Sequence, residues 1–247
     1  MTITSDNYLA KLPIQEIKTT IHQHIIPMLA LLLDQRLKKV VEQMVLGILG
    51  GETPVITAMA RQNNKAEGES WATAKRIYRF LENRHLQTEE IYEGLYQVGR
   101  KAVEREAPEY LVVAVDPVIF EKPYAKAVEG VSIVHKATPP DLTWHARLAH
   151  GYPAITATVV NAQVPVTTYA NWFSYVIDFI SQNNEIEQVF QTTCRLYPGY
   201  RICFVGDSGL DDQKMFAQVG RLKQDFVIRV SHLERIVEVY NERLDRW

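Results

Sequence analysis

The chain has 247 residues, of which 47% are hydrophobic and 23% charged, an ordinary composition that suffices for one or two globular cores. Its 27 basic residues stand against 29 acidic ones, so the formal net charge of −2 excludes a uniformly basic protein, and any nucleic-acid contact requires local positive charge. The chain has 2 cysteines, no basic-then-apolar leader and no apolar run near the roughly 20 residues of a membrane span, so we expect a soluble cytoplasmic protein without a disulfide framework.

The first part of the chain, residues 1–107, has the periodicity of helices. Apolar residues recur at intervals of three and four, and Gly50-Gly51 and Thr53-Pro54 supply a stop signal and a start signal between two helices. The segments that predict helices are Ile14–Ile25, Val40–Ile48, Thr53–Ala60, Ser70–Leu81 and Thr88–Arg105. We therefore expect an all-α amino-terminal region.

Beyond Pro108 the pattern changes to alternating strands and helices. Strands are predicted at Leu111–Val115, Val131–Val134, Ile155–Val160, Ile202–Val205 and Phe226–Val230, with a weaker strand signal at Ile236–Tyr240. Helices are predicted at Ala170–Ser181, Glu185–Leu196 and Leu210–Gly220. This order predicts a mixed α/β sheet with crossover helices over residues 108–247.

Two aspartates directly follow apolar strands. Asp116 ends the first predicted strand and Asp207 the fourth, at the carboxyl ends where open α/β sheets place ligands. If these strands are neighbours, both carboxylates face one crevice, and hard oxygen ligands of this kind favour Mg²⁺ or Mn²⁺. The alternative is structural, because Asp207 also suits a helix cap and Asp116, before Pro117, a turn.

The neighbouring acids and the histidines have simpler interpretations. Asp211 and Asp212 are expected at a helix start, where they favour the positive end of the helix dipole, with Asp212 as an alternative partner of the acid pair. His135, His145 and His150 fit no zinc pattern with the two cysteines, and we expect buried structural residues.

Three segments in order resemble the DDE transposases of bacterial insertion sequences, in the group with a β-strand insertion in an RNase H-like domain. They are Val-Ala-Val-Asp116, Phe204-Val-Gly-Asp207-Ser-Gly-Leu-Asp211-Asp212 and Phe226-Val-Ile-Arg229-Val, and the resemblance covers roughly residues 55 to 247. It implies an RNase H-like catalytic domain over residues 108–247. It also implies that Asp116 and Asp207 are the first two catalytic acids, which bind Mg²⁺ or Mn²⁺ for DNA strand cleavage and transfer.

The chain departs from this family in two respects. Ser208 stands where family members often have Arg, and the third acid, a Glu on a helix after the insertion, has no clear counterpart. Glu234, Glu238 and Glu242 share helical spacing and are candidates, although a solvated face is their alternative role. We therefore expect a catalytic domain lacking its last part, with weak or absent cleavage by this chain alone.

Basic residues cluster in the helical region. The cluster consists of Arg61, Lys65, Lys75, Arg76, Arg79 and Arg84, and its central helix combines cations with aromatic residues. Tyr78-Arg79-Phe80-Leu81-Glu82-Asn83 resembles a helix in the DNA-binding region of related transposases, and the preceding helices have helix-turn-helix proportions. A plain helical bundle with a basic side is the alternative. Arg229, after the fifth predicted strand, is a further candidate for a DNA phosphate, or for a structural salt bridge.

The sequence thus predicts a transposase-related protein that contacts double-stranded DNA at element ends and target, with a homodimer on DNA as the expected assembly. One alternative is a non-catalytic DNA-binding fragment that inhibits transposition. A third interpretation is an unrelated metal-dependent hydrolase on a similar sheet.

Overall fold

A computed structural model describes residues 14–63, 67–122, 124–125, 127–135, 148–231 and 234. The chain divides into two compact units, Met1–Val98 and Gly99–Trp247, and the division lies within a single helix. No helix among these described residues is both long and apolar enough to cross a bilayer.

The first unit is helical, as predicted. Its helices are α1 (Ile14–Met28), α2 (Gln35–Gly51), α3 (Ile56–Asn63), α4 (Glu67–Leu81) and the first part of α5 (Thr88–Glu106). Asp34 begins α2 because its side chain accepts a hydrogen bond from the backbone N of Arg36 at 2.8 Å, and α2 ends where Glu52 adopts a left-handed conformation. The core between α2 and α4 consists of Leu37, Val40, Ile77 and Phe80.

The second unit contains a six-stranded mixed sheet. Its strands are β1 (Tyr110–Glu121), β2 (Ser132–His135), β3 (Leu148–Val159), β4 (Val166–Trp172), β5 (Arg201–Gly206) and β6 (Asp225–Ile228). Strand β3 pairs antiparallel with β1, β2 and β4, whereas β5 pairs parallel with both β1 and β6. The order β4-β3-β1-β5-β6, with β2 also on β3, is that of an RNase H-like sheet, so the predicted fold class is confirmed.

Two helices cover one face of this sheet. Helices α6 (Gln182–Leu196) and α7 (Gln213–Arg221) bury apolar side chains against it, and the rings of Phe190 and Phe204 lie 4.5 Å apart between centroids. Along β1, Leu111, Val113 and Val115 are buried, while the residues between them are only partly buried or exposed. We call the side that carries these alternate residues, including Asp116, the half-exposed face.

The helix predicted at Ala170–Ser181 is wrong. Residues 166–172 form strand β4, and residues 173–181 contain no helix. The β-branched residues at the start of β4, Val166 and Thr167, pair with β3. After β4, the rings of Phe173, Tyr175 and Phe179 pack on one another, and no helix forms.

The first strand also extends further than predicted, because it continues through Asp116 and Pro117 to Glu121. Pairing of β1 with β5 ends at Ala114, so Pro117 has only β3 as a ladder neighbour and its missing N–H is tolerated there.

The other predicted elements of this unit shift only at their ends. The fourth and fifth predicted strands correspond to β5 and β6. The helix predicted from Glu185 corresponds to α6. The helix predicted at Leu210–Gly220 is a short 3-10 helix, Ser208–Leu210, followed by α7. The weak strand at Ile236–Tyr240 lies outside the described residues.

Candidate functional site

The register between β1 and β5 leads toward the two predicted acids. The paired residues run from Tyr110 with Arg201 to Ala114 with Val205, and the two numbers in each pair differ by 91. Asp116 and Asp207 have the same separation, and each lies two residues beyond the last pair. Asp116 lies on the half-exposed face of β1, Asp207 follows the end of β5, and both residues are exposed.

Asp207 has a structural role in addition to its place at the site. It follows β5 in an extended conformation and begins the 3-10 helix, where its Oδ1 accepts a hydrogen bond from the backbone N of Gly209 at 2.8 Å. The 3-10 helix turns back against the end of β5, and the buried side chain of Leu210 packs directly on Gly206. A Cβ on Gly206 would lie 2.2 Å from Cδ1 of Leu210. The predicted capping role is therefore confirmed, and it engages only one of the two carboxylate oxygens.

Asp116 lies within a regular strand and not in a turn. It pairs with Thr156 of β3, whose Oγ1 donates a hydrogen bond to the backbone carbonyl of Asp116 at 3.4 Å. The turn interpretation of Asp116 is therefore wrong. Its side chain is held at a fixed place on the sheet by backbone pairing to β3.

Arg229 stands on the other side of Asp207. The last pair between β5 and β6 is Gly206 with Ile228, and the backbone N of Arg229 donates to the carbonyl of Gly206 at 3.4 Å. Arg229 therefore directly follows the last pair on β6, as Asp207 does on β5, and it is exposed. In the described part of the chain, no ion pair involves the Arg229 guanidinium.

The two neighbouring acids are structural. Asp212 is the N-cap of α7 and its Oδ1 accepts a hydrogen bond from the backbone N of Lys214 at 2.7 Å, as the helix-start prediction requires. Asp211 is buried, and its Oδ2 accepts hydrogen bonds from both N and Oγ of Ser231, at 2.7 and 2.9 Å. Asp211 thereby ties the chain beyond β6 to the segment that carries Asp207.

Within the part of the chain that the structure describes, no third metal-binding acid is seen at this site. Glu234 is exposed, and Glu238 and Glu242 lie outside the described residues. Among residues that the structure describes, no group of three or more His, Cys, Asp and Glu side chains is arranged to hold a metal ion. The donor set is therefore two carboxylates, whose hard oxygens fit Mg²⁺ or Mn²⁺, with water or further groups needed to complete the coordination.

The basic cluster belongs to the other unit. In α4, Ala74, Ile77 and Phe80 are buried, whereas Lys75, Arg76 and Arg79 are exposed. The Lys75 ammonium lies 5.4 Å from the centroid of the Trp71 ring, and Arg76 donates a hydrogen bond to the Gln43 side chain at 3.3 Å. Of the other predicted DNA contacts, Arg61 and Arg84 are exposed and Lys65 lies outside the described residues.

Sequence reasoning did not single out Trp172 at the end of β4 or Glu185 in the first turn of α6. Burial raises the pKa of the Glu185 carboxyl, and a hydrogen bond from the Asn171 side chain partly opposes this shift. Because the two residues lie on separate elements, no sequence pattern relates one to the other. The one available signal was the threonine- and valine-rich start of β4, which favours a strand.

Comparison with known proteins finds no matching family model and no matching curated protein. Among solved structures, the chain is similar to a Mos1 transposase paired-end complex with the left transposon end, at 12% identity over 78% of this chain and 59% of that one, with a TM-score of 0.29. A Mos1 mariner paired-end complex with Mn matches at 12% identity over 78% of this chain and 60% of that one, also with a TM-score of 0.29. A piggyBac transposase synaptic complex with hairpin DNA matches at 8% identity over 80% of this chain and 43% of that one, with a TM-score of 0.38.

The chain thus spans less than two thirds of the length of these transposase chains. Similarity at such low TM-scores carries no argument about this protein, and the fold assignment rests on the strand order of its sheet.

Proposed function

We propose that this chain is a DNA transposase-related protein of the bacterial insertion-sequence type, whose RNase H-like unit presents Asp116 and Asp207 for metal-dependent phosphodiester cleavage and strand transfer. The observation that supports the proposal is the parallel register of β1 and β5, whose last pair lies two residues before Asp116 on one strand and two residues before Asp207 on the other. Two adjacent carboxylates repel each other unless a cation or a proton lies between them.

Asp116 and Asp207 are the residues that would hold Mg²⁺ or Mn²⁺. When bound, such ions lower the pKa of water and neutralise charge on the phosphate being cleaved. The protein's own contribution is positional: pairing to β3 fixes Asp116, and the 3-10 helix fixes Asp207. Arg229, on the far side of Asp207, is proposed to bind a DNA phosphate beside the acids.

Helix α4 is proposed to bind double-stranded DNA. Its exposed face places Lys75, Arg76 and Arg79 on consecutive turns, with Arg61 and Arg84 exposed nearby in the chain, and cations of this kind bind phosphates without reading sequence. The predicted contact at Lys65 and the predicted homodimer on DNA remain predictions.

Cleavage is tested by nicking of supercoiled plasmid in Mg²⁺ or Mn²⁺. The wild-type chain is compared with Asp116→Ala, and Glu109→Gln serves as a matched control because Glu109 is an exposed acid just before β1. Because the third acid is not identified, we expect at most weak nicking by the wild type and the control, and none by Asp116→Ala. Nicking that persists in Asp116→Ala removes the proposed site.

A second candidate function is a non-catalytic DNA-binding protein that inhibits transposition. It is favoured by the two-carboxylate donor set of the described residues, where a third acid is expected. Under this alternative, the wild type binds DNA with a steep salt dependence but nicks no plasmid in either metal.

A further inference from the structure

Strand β6 forms an edge of the sheet, because β5 is its only strand partner in the part of the chain that the structure describes. Natural edge strands are usually protected from further pairing by a lysine, a proline, a bulge or a covering segment. The sequence of β6, Asp-Phe-Val-Ile, contains neither lysine nor proline, and its register with β5 is regular. Phe226 and Val227 are 42% and 61% exposed. The strand therefore presents an open, largely apolar edge.

The chain that follows β6 leads away from this edge. The backbone N of Arg229 donates to the carbonyl of Gly206, which lies on the β5 side. Two residues later, the N and Oγ of Ser231 both donate to Asp211, in the segment that follows β5. The chain that the structure describes thus turns toward β5 after β6, and does not fold back along the outer side of β6 as a hairpin.

The outward backbone groups of β6 belong to Phe226 and Ile228. Along a strand, the N–H and C=O groups of alternate residues point to opposite sides. The N–H of Arg229 points to β5, so that of Val227 does as well, and those of Phe226 and Ile228 point to the outer side. A strand added to this edge makes its hydrogen bonds with these two residues.

A second copy of β6 fits this edge in one antiparallel register. Centred on Val227, the register sets Phe226 of each copy opposite Ile228 of the other, and each such pair exchanges both of its N–H···O bonds. The same register sets Asp225 of each copy opposite Arg229 of the other. A register centred on Phe226 instead sets Asp225 opposite Val227 and loses the charge pairing. Hydrogen bonding and charge therefore select the same arrangement.

The charges that meet across this edge are available. Asp225 lies on the half-exposed face, because it pairs with Cys203 and Cys203 pairs with Val112. The Nε of Arg201 contacts one carboxylate oxygen of Asp225 at 2.5 Å, and this guanidinium lowers the pKa of Asp225, so its carboxylate is charged at neutral pH. Arg229 follows four residues after Asp225, which places it on the same side of the strand.

We propose that two copies of this chain pair through their β6 edges, antiparallel and centred on Val227, to form a symmetric homodimer with one continuous sheet. The interface is self-complementary and closes at two copies, so it gives a dimer and no filament. The proposal does not depend on the proposed function. Arg229 then contacts Asp225 of the other copy besides the DNA phosphate proposed above, and assays without DNA measure the first contact by itself.

The first test exchanges charges across the edge and follows association of the full chain by sedimentation velocity, from micromolar to millimolar concentration, without DNA or metal. We expect the wild type to dimerise. Arg229→Glu sets two acids opposite each other and Asp225→Lys two cations, and because two attractive pairs become repulsive, the dissociation constant of each variant should rise at least about 4-fold.

An equimolar mixture of these two variants is expected to restore the dimer, because every acid then faces a cation. Lys101→Glu is the matched control, since Lys101 is an exposed cation on α5 and not on the edge, and it should associate as the wild type does.

The second test locates the pairing at single amides by NMR-detected hydrogen exchange of the wild type. The amides of Phe226 and Ile228 should become more protected as protein concentration rises, whereas those of Val227 and Arg229, which bond to β5, should not change. Ile228→Pro removes an outward donor, which an edge strand tolerates, and it is expected to give a folded monomer.

A wild type that stays monomeric over the whole concentration series overturns the proposal. A dimer that persists at wild-type affinity in both charge variants also overturns it, as does a mixture that associates no better than its components. Concentration-dependent protection that omits Phe226 and Ile228 places the dimer elsewhere and has the same consequence. The exchange measurement needs no variant, so it decides the question even if a substitution prevents folding, and the nicking assay has no bearing on it.

Discussion

Asp207 combines a capping bond with a place in the acid pair, and two substitutions separate these roles. Asp207→Asn keeps a side-chain oxygen at the position of Oδ1, which accepts the 2.8 Å hydrogen bond from Gly209, but removes the negative charge. Asp207→Ala removes both. We therefore expect Asp207→Asn to keep the stability of the wild type and lose cleavage, whereas Asp207→Ala loses cleavage and some stability.

The sizes of the two effects follow from the structure. Loss of a capping side chain costs about 1 kcal/mol, which lowers the Tm of a chain of this size by about 2–4 °C. Leu210 anchors the 3-10 helix because it is 1% exposed, so the helix is expected to persist without its cap. For cleavage, loss of even an indirect partner of a metal site typically costs about 10- to 100-fold, and we expect at least the upper value for Asp207→Asn.

Differential scanning calorimetry and plasmid nicking, made on the same three proteins, provide the measurements. The expected pattern is a Tm of Asp207→Asn equal to the wild type, a lower Tm for Asp207→Ala, and no nicking by either variant. Nicking by Asp207→Asn at the wild-type rate refutes the role in metal binding. Equal destabilisation by the two substitutions refutes the role assigned to Oδ1.

Three further predictions concern packing, charge and DNA. Gly151→Ala is expected to lower the free energy of unfolding in urea by about 1–3 kcal/mol, because its Cβ would lie 2.4 Å from the carbonyl oxygen of Phe120. Gly220→Ala, in open space within α7, is the control and is expected to raise this free energy by up to about 1 kcal/mol. Burial raises the pKa of Glu185, so the stability associated with its protonated form is present below the ordinary carboxyl pKa and lost as pH rises through the raised one. The Tm of Glu185→Gln should therefore exceed that of the wild type by more at pH 7 than at pH 4, and an unchanged difference contradicts this. For DNA, Arg79→Ala is expected to reduce the slope of log affinity against log salt by about 0.9, and an unchanged slope excludes a phosphate contact at Arg79.

The parallel neighbours β1 and β5 were predictable as strands because each is a short apolar run that reads as a buried strand. Asp116 and Asp207 each lie two residues beyond the last pair of these strands, and their pairing at one site stays a prediction. What the sequence did not indicate is that β1 continues past Asp116. Proline is a usual strand terminator, and Pro117 is tolerated only because β5 has already ended its pairing with β1.

The segment after β4 shows how a pattern misleads. Phe173, Val176, Ile177 and Ile180 have the spacing of one helix face, which favoured the predicted helix. In the structure, the last three of these residues are exposed, and ring packing organises the segment instead.

The order of strands in the sheet also has a consequence for folding kinetics. Asp116 lies on a strand that pairs with β3 nearby in the chain, whereas Asp207 reaches it only after a loop of 91 residues closes between β1 and β5. Loop entropy sets a cost of about 4 kcal/mol on that closure, and non-local parallel pairing of this kind forms slowly. A nascent or partly folded chain therefore has its two aspartates apart, and they approach each other only after β1 and β5 have paired.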